Sequence, residues 1–106
     1  DTSIITSISN DYGYEYVFER QLEGIAEKGD IAFAYSTSGN SPNIINGLKK
    51  ASYMGLTNIG LTGLNGGEMK KYCDNIIKVP SNSVPRIQEN HIFLYHSICK
   101  ILDKNF

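Results

Sequence analysis

The sequence predicts an α/β protein, a three-layer arrangement in which helices cover both faces of a parallel sheet. Strand-like and helix-like segments alternate four times, with strands at 3–8, 31–36, 57–62 and 75–79 and helices at about 12–28, 42–54, 67–73 and 85–104. Ile31-Ala32-Phe33-Ala34-Tyr35 is a nearly unbroken apolar run, as expected of a strand buried on both faces. The segments that follow the strands are rich in Ser, Thr, Asn and Gly, while opposite-edge turns such as Glu27-Lys28-Gly29-Asp30 are plain. In an open parallel sheet ligands bind outside the carboxyl ends of the strands, so polar chemistry has been gathered on the edge where it is useful.

The chain opens at Asp1 without Met and enters the first expected strand almost at once, on Ile4, Ile5 and Ile8. That opening reads as the second part of a larger domain, with upstream helices and a first strand expected before it. The second strand empties into Ser36-Thr37-Ser38-Gly39-Asn40-Ser41-Pro42. Ser41 followed by Pro42 is a helix-start signature, a hydroxyl N-cap and then proline at the first helical position. Ile44, Ile45 and Leu48 then share one face of the helix. Free backbone N–H groups, the positive end of the helix dipole and four side-chain hydroxyls converge there, which suits a single phosphate ester. An ordinary capping turn with a permissive Gly39 gives the same pattern. The loop has no Lys, so it is not the nucleotide loop GxxxxGK[ST], and no GxGxxG fingerprint is present.

The last helix carries two apolar stripes, Ile87, His91, Leu94, Ile98 and Ile101 on one and Ile92, Tyr95, Cys99 and Leu102 on the other. A surface helix needs one. The second stripe implies cover from another subunit or from an upstream helix. Gln88 and His96 stand at i and i+8, about 12 Å apart along an ideal axis, so they are no local chelate. His91 reads as a satisfied core histidine.

Bulk properties narrow the classes. One domain fits 106 residues, and 41% apolar with 20% charged content describes a folded chain. A net charge of −1 leaves no footprint for nucleic acid or an anionic membrane. No apolar run is long enough to span a bilayer, and no signal peptide is visible. Cys73 and Cys99 have no metal or CxxC spacing and read as buried thiols in a reducing cytoplasm.

Several segments together resemble the sugar isomerase (SIS) family, and within it the bacterial phosphoheptose isomerases. They are Ser9-Asn10-Asp11-Tyr12-Gly13-Tyr14-Glu15-Tyr16-Val17-Phe18, Ser36 to Ser41, Thr62-Gly63 with Gly66-Gly67, and Arg86-Ile87-Gln88-Glu89 followed by His91 and His96. The resemblance implies a flavodoxin-like SIS domain over residues 1–106, here with four strands. It implies conversion of sedoheptulose 7-phosphate to D-glycero-D-manno-heptose 7-phosphate through an enediol, on the way to bacterial surface polysaccharide. By the same resemblance Ser36, Thr37, Ser38 and Ser41 hold the phosphate and Asn10 and Asp11 contact the sugar hydroxyls. Gln88 and His96 are implied in substrate and zinc binding, and both are implied catalytic, His96 as an acid/base. One zinc per subunit and a homotetramer are also implied.

The chemistry suits these residue types. Moving a proton between neighbouring carbons needs a base of near-neutral pKa, which imidazole supplies. A developing enediolate needs an electrophile such as a metal ion. The family's Asn-Gly-Gly-Ser loop and its metal-binding His and Glu have no counterpart here, and Pro85 replaces a small or polar residue. The expectation is an isomerase when intact and an inactive segment alone. The competing readings are a non-catalytic SIS adaptor and a phosphosugar-sensing regulatory module.

Overall fold

The computed structural model describes residues 1–106, and its sheet has three strands in the order β1 (Ile31–Ser36), β2 (Thr57–Thr62), β3 (Asn75–Lys78). All pairings are parallel, running from Ile31 opposite Thr57 to Ser36 opposite Thr62, and from Ile59 opposite Asn75 to Thr62 opposite Lys78. The helices are α1 (Thr2–Asp11), α2 (Val17–Ile25), α3 (Pro42–Met54) and α4 (Val84–Asn105). Short 3-10 turns occupy Tyr14–Tyr16 and Glu68–Lys71.

The expected strand at 3–8 is wrong: those residues lie in α1, and the sheet has three strands rather than four. The β-branched residues suggested a strand, but the N-cap decided otherwise. The Asp1 carboxylate accepts hydrogen bonds from the N–H groups of Ser3 (2.7 Å) and Ile4 (3.2 Å), satisfying two of the donors a helix start leaves free. Ile4, Ile5 and Ile8 also share a helical face, and the hydroxyls of Thr6 and Ser9 donate back to the carbonyls of Thr2 and Ile5, both at 2.6 Å. Two expected helices are shorter than drawn. Gly13, at φ +106°, separates α1 from the 3-10 turn that leads into α2, and the expected 67–73 helix is the turn Glu68–Lys71. The other strands and helices fall within a residue of their expected ends.

Side-chain alternation sorts the layers. Asn58, whose partner is Ala32, faces α3: its Nδ2 lies 2.9 Å from the Leu48 carbonyl, 2.9 Å from Ser52 Oγ and 2.7 Å from the Tyr72 carbonyl. On the opposite face Phe33 and Tyr35 stack together, and Tyr35 meets His91 and Tyr95 of α4 edge-on. The core joins Val17, Leu48, Leu61, Met69 and Ile87, each at most 3% exposed. Burying such a side chain contributes roughly 1.5–3 kcal/mol.

Two surfaces stay open. β1 has a neighbour on one side only, and an apolar hollow of about 640 Å³ runs along its free edge past Ile5, Phe18, Leu22, Ile25 and Phe33. The second α4 stripe is uncovered within these residues, with Ile92 and Leu102 about half exposed. No helix is long and apolar enough to cross a membrane.

Asn58 is fully buried and bridges the sheet, α3 and the segment before β3. Asn58→Ala should cost about 2–4 kcal/mol, because the Leu48 and Tyr72 carbonyls lose their donor. Equilibrium urea denaturation measures it, and an unchanged midpoint would contradict this role.

Candidate functional site

The carboxyl edge of the sheet is built by three loops tied to one another. The Gly63 N–H donates to the Thr37 carbonyl (3.0 Å), Met69 N–H to the Gly39 carbonyl (2.9 Å) and Leu64 N–H to the Ser81 carbonyl (3.2 Å). The Asn40 side-chain oxygen accepts from Glu68 N–H at 2.9 Å. Gly39 is the point of closest approach. At φ +69° a Cβ there would lie 2.3 Å from the Gly66 carbonyl oxygen, and a Cβ on Gly67 would lie 2.5 Å from the Ser38 carbonyl oxygen. Only glycines let these two backbones touch.

The tie shapes the 36–41 loop. Gly39 N–H bonds the carbonyl (3.2 Å) and the hydroxyl (3.1 Å) of Ser36, and Asn40 N–H bonds the Ser38 hydroxyl at 3.1 Å. Ser41 is the N-cap residue of α3, yet its hydroxyl makes no capping bond; it lies 3.0 Å from the Ser36 hydroxyl instead. The backbone N–H groups of Thr37, Ser38 and Ser41 have no partner in the chain. Three free amides, hydroxyls and a helix start in one short crook can take an anion. The hydroxyl of Thr62, at the end of β2, is also fully buried and unpartnered.

The four expected phosphate residues do not share one hollow. Ser41 lines an open hollow with Tyr14, Glu15, Pro42 and Asn43, while Thr37 and Ser38 line another with Asn65, Ser81 and Asn82. Ser36 is buried and lines neither. Asn10 and Asp11 do not stand on a loop leaving a strand, as expected; they form the last turn of α1, exposed, with Asn10 Nδ2 donating to Asp11 Oδ1 at 2.9 Å. Neither hydrogen-bonds to the serine loop.

Gln88 is exposed on α4 and lines a shallow hollow with Tyr35, His91, Ile92 and Tyr95. His96 is exposed, packs its ring on Tyr95 at 4.5 Å and does not line that hollow. His91 is buried with Nε2 3.2 Å from the Thr62 carbonyl, the core role expected of it. No three His, Cys, Asp or Glu residues gather as a metal would need, so the donors of this chain do not by themselves make a zinc site.

Burial, reinforced by nearby Cys99 and Tyr95, pushes the Tyr35 phenol above its ordinary range. The Lys71 ammonium, hydrogen-bonded to Glu68, holds that carboxylate below its usual range at the start of the second loop's turn. Sequence reasoning missed Glu15, Asn65, Ser81 and Asn82 as lining residues. Asn65, Ser81 and Asn82 lay in loops already placed on the ligand edge, and nothing in one sequence says which loop residues face inward. Glu15 gave no signal, because the turn that carries it had been drawn as helix.

Residues 1–63, from α1 to the first residue after β2, match the SIS domain family model. The chain belongs to the SIS domain family. Its curated SIS relatives include the phosphoheptose isomerase of Aliarcobacter butzleri, 56% identical over 103 residues, with 97% of this chain and 54% of that protein covered. The phosphoheptose isomerase of Sulfurimonas denitrificans is 55% identical over 104 residues, covering 98% of this chain and 53% of that protein. The chain therefore spans about half the length of the curated relatives it matches. Among solved structures, phosphoheptose isomerase from Neisseria gonorrhoeae superposes with a TM-score of 0.92 at 41% identity, over 95% of this chain and 57% of that one. The Francisella tularensis enzyme gives 0.95 at 34% identity, over 98% and 56%. The three-stranded α/β arrangement is thus the one these SIS structures share.

Two glycines should respond with opposite signs. Gly39→Ala forces a Cβ against the Gly66 backbone and should cost about 2 kcal/mol or more. Gly24→Ala, in α2 with nothing within 4 Å of the new Cβ, should stabilise by about 0.5–1 kcal/mol. Thermal melting of both variants checks the pair, and a neutral Gly39→Ala would mean that the two loops are not held in contact.

Proposed function

We propose that the full-length protein is an aldose–ketose isomerase acting on sedoheptulose 7-phosphate, giving D-glycero-D-manno-heptose 7-phosphate. The observation that carries this reading is the crook at residues 36–41, where the amides of Thr37, Ser38 and Ser41 are unpartnered and the Ser41 hydroxyl is withheld from its cap. Relatives at 56% and 55% identity named phosphoheptose isomerase support it, and do not favour an adaptor or a regulatory module.

In this reading the crook anchors the phosphate away from the reacting carbons, with Ser36, Thr37, Ser38 and Ser41 supplying hydroxyls. Remote binding energy of that kind orients an open-chain sugar and lowers the barrier when realised in the transition state. Asn10 and Asp11 contact the sugar hydroxyls. Gln88 orients the reactive end, and His96 carries the proton between neighbouring carbons as the enediol forms and collapses. His96 lies on the exposed side of α4, so the reading needs the rest of the molecule, or a neighbouring subunit, to bring the sugar to it. Zinc belongs to the proposal only with donors from outside residues 1–106, and would supply an electrophile for the enediolate. A homotetramer working in the cytoplasm on precursors of bacterial surface polysaccharide completes the reading, and the uncovered α4 stripe suits such an assembly.

Ser41→Ala should raise KM about tenfold with kcat little changed, since it removes a ground-state anchor. His96→Ala should lower kcat by about 100-fold or more with KM little changed. Steady-state kinetics of the full-length protein decide this, and a His96→Ala variant that keeps its kcat would remove the proposed base. Thermal stabilisation by sedoheptulose 7-phosphate beyond that by fructose 6-phosphate is also expected; stabilisation by the hexose phosphate alone would defeat the heptose assignment.

A further inference from the structure

Glu15 follows the Asn10–Asp11 end of α1 in the chain and lines the same hollow as Ser41. Its 3-10 turn is pinned to α3 because Asn46 Nδ2 donates to the Glu15 carbonyl at 3.1 Å. The carboxylate folds back over Gly13, so that a Cβ on that glycine would sit 2.8 Å from Glu15 Oε2. Gly13, at φ +106°, follows the α1 terminus that carries Asn10 and Asp11. Glu15 lines, with Ser41 and Asn43, the open hollow of about 500 Å³ at the start of α3. Its carboxylate enters no ion pair, although the chain forms five elsewhere.

An unpaired carboxylate beside an anion cradle has a definite chemistry. It accepts hydrogen bonds from neutral hydroxyls strongly, and it repels a phosphate dianion at short range. We propose that Glu15 is a specificity-determining residue: it binds hydroxyls of the phosphosugar and keeps the phosphate off its own side, so that the ligand enters in one orientation. This inference rests on the phosphosugar reading of the serine crook. It gives Glu15 a task that a purely structural acid at a helix start lacks, since favourable interaction with the α3 dipole requires no ligand.

The test compares two ligands on the full-length protein and its Glu15→Gln variant, with affinities for sedoheptulose 7-phosphate and inorganic phosphate measured by isothermal titration. Glu15→Gln keeps the side-chain volume and removes the charge. The sugar phosphate should bind about tenfold more weakly, the size expected when one charge-assisted hydrogen bond is reduced to a neutral one. Inorganic phosphate should bind as well as before or more tightly. A variant that leaves both affinities unchanged, or weakens both equally, overturns the role of Glu15 while the cradle stands. An unsubstituted protein that binds neither ligand overturns the phosphosugar reading, and the inference with it.

Discussion

The contact between Gly39 and the Gly66-Gly67 backbone is the constraint on which the candidate site depends. Two loops leaving neighbouring strands approach so closely that neither tolerates a Cβ at the junction, and they are held by the Met69 N–H to Gly39 carbonyl bond and the Asn40 side chain. The Gly39 amide turns inward to Ser36 and the Asn40 amide bonds the Ser38 hydroxyl, while the amides of Thr37, Ser38 and Ser41 are left without partners. A buried or half-buried donor without a partner is costly in an empty loop and becomes an asset when an anion arrives. The crook is therefore organised by packing before any ligand binds.

Behind the crook, the parallel register sets its height. Ser36 stands opposite Thr62, and Thr62 opposite Lys78, so the three strands deliver their loops at one level. Leu48 and Leu61 hold α3 and β2 in the core, and Ile87 and His91 seat the first half of α4 over the end of β2. No ion pair involves residues 36–41. The Glu23–Lys50 pair lies on the surface between α2 and α3, away from the crook, where solvent screens ion pairs.

Much of this was legible in the sequence for physical reasons. The strand at 31–36 and the helix at 42–54 carry strong signals, an apolar run and Ser41-Pro42 at a helix start; Gly55, in the left-handed region, ends that helix in the structure. The first segment was misread because isoleucine-rich residues satisfy a strand and a helix alike, and the deciding bonds from Asp1 are local geometry rather than periodicity. That error also put Asn10 and Asp11 on a loop, whereas they stand at a helix end. The serine loop was placed correctly, but its split between two hollows depends on loop contacts that link residues 37 and 63, 39 and 69, and 64 and 81, beyond the reach of any local pattern. The two stripes of α4 announced an uncovered face, seen in the half-exposed Ile92 and Leu102.

The most direct measurement on the central claim is a titration of the isotopically labelled full-length protein with inorganic phosphate, followed by backbone amide NMR. An organised anion cradle predicts saturable shifts concentrated at Thr37, Ser38 and Ser41, with smaller ones at Gly39 and Gly66. Saturable binding that leaves those amides unmoved and perturbs a different surface, or no saturable shift at millimolar phosphate, would contradict the account.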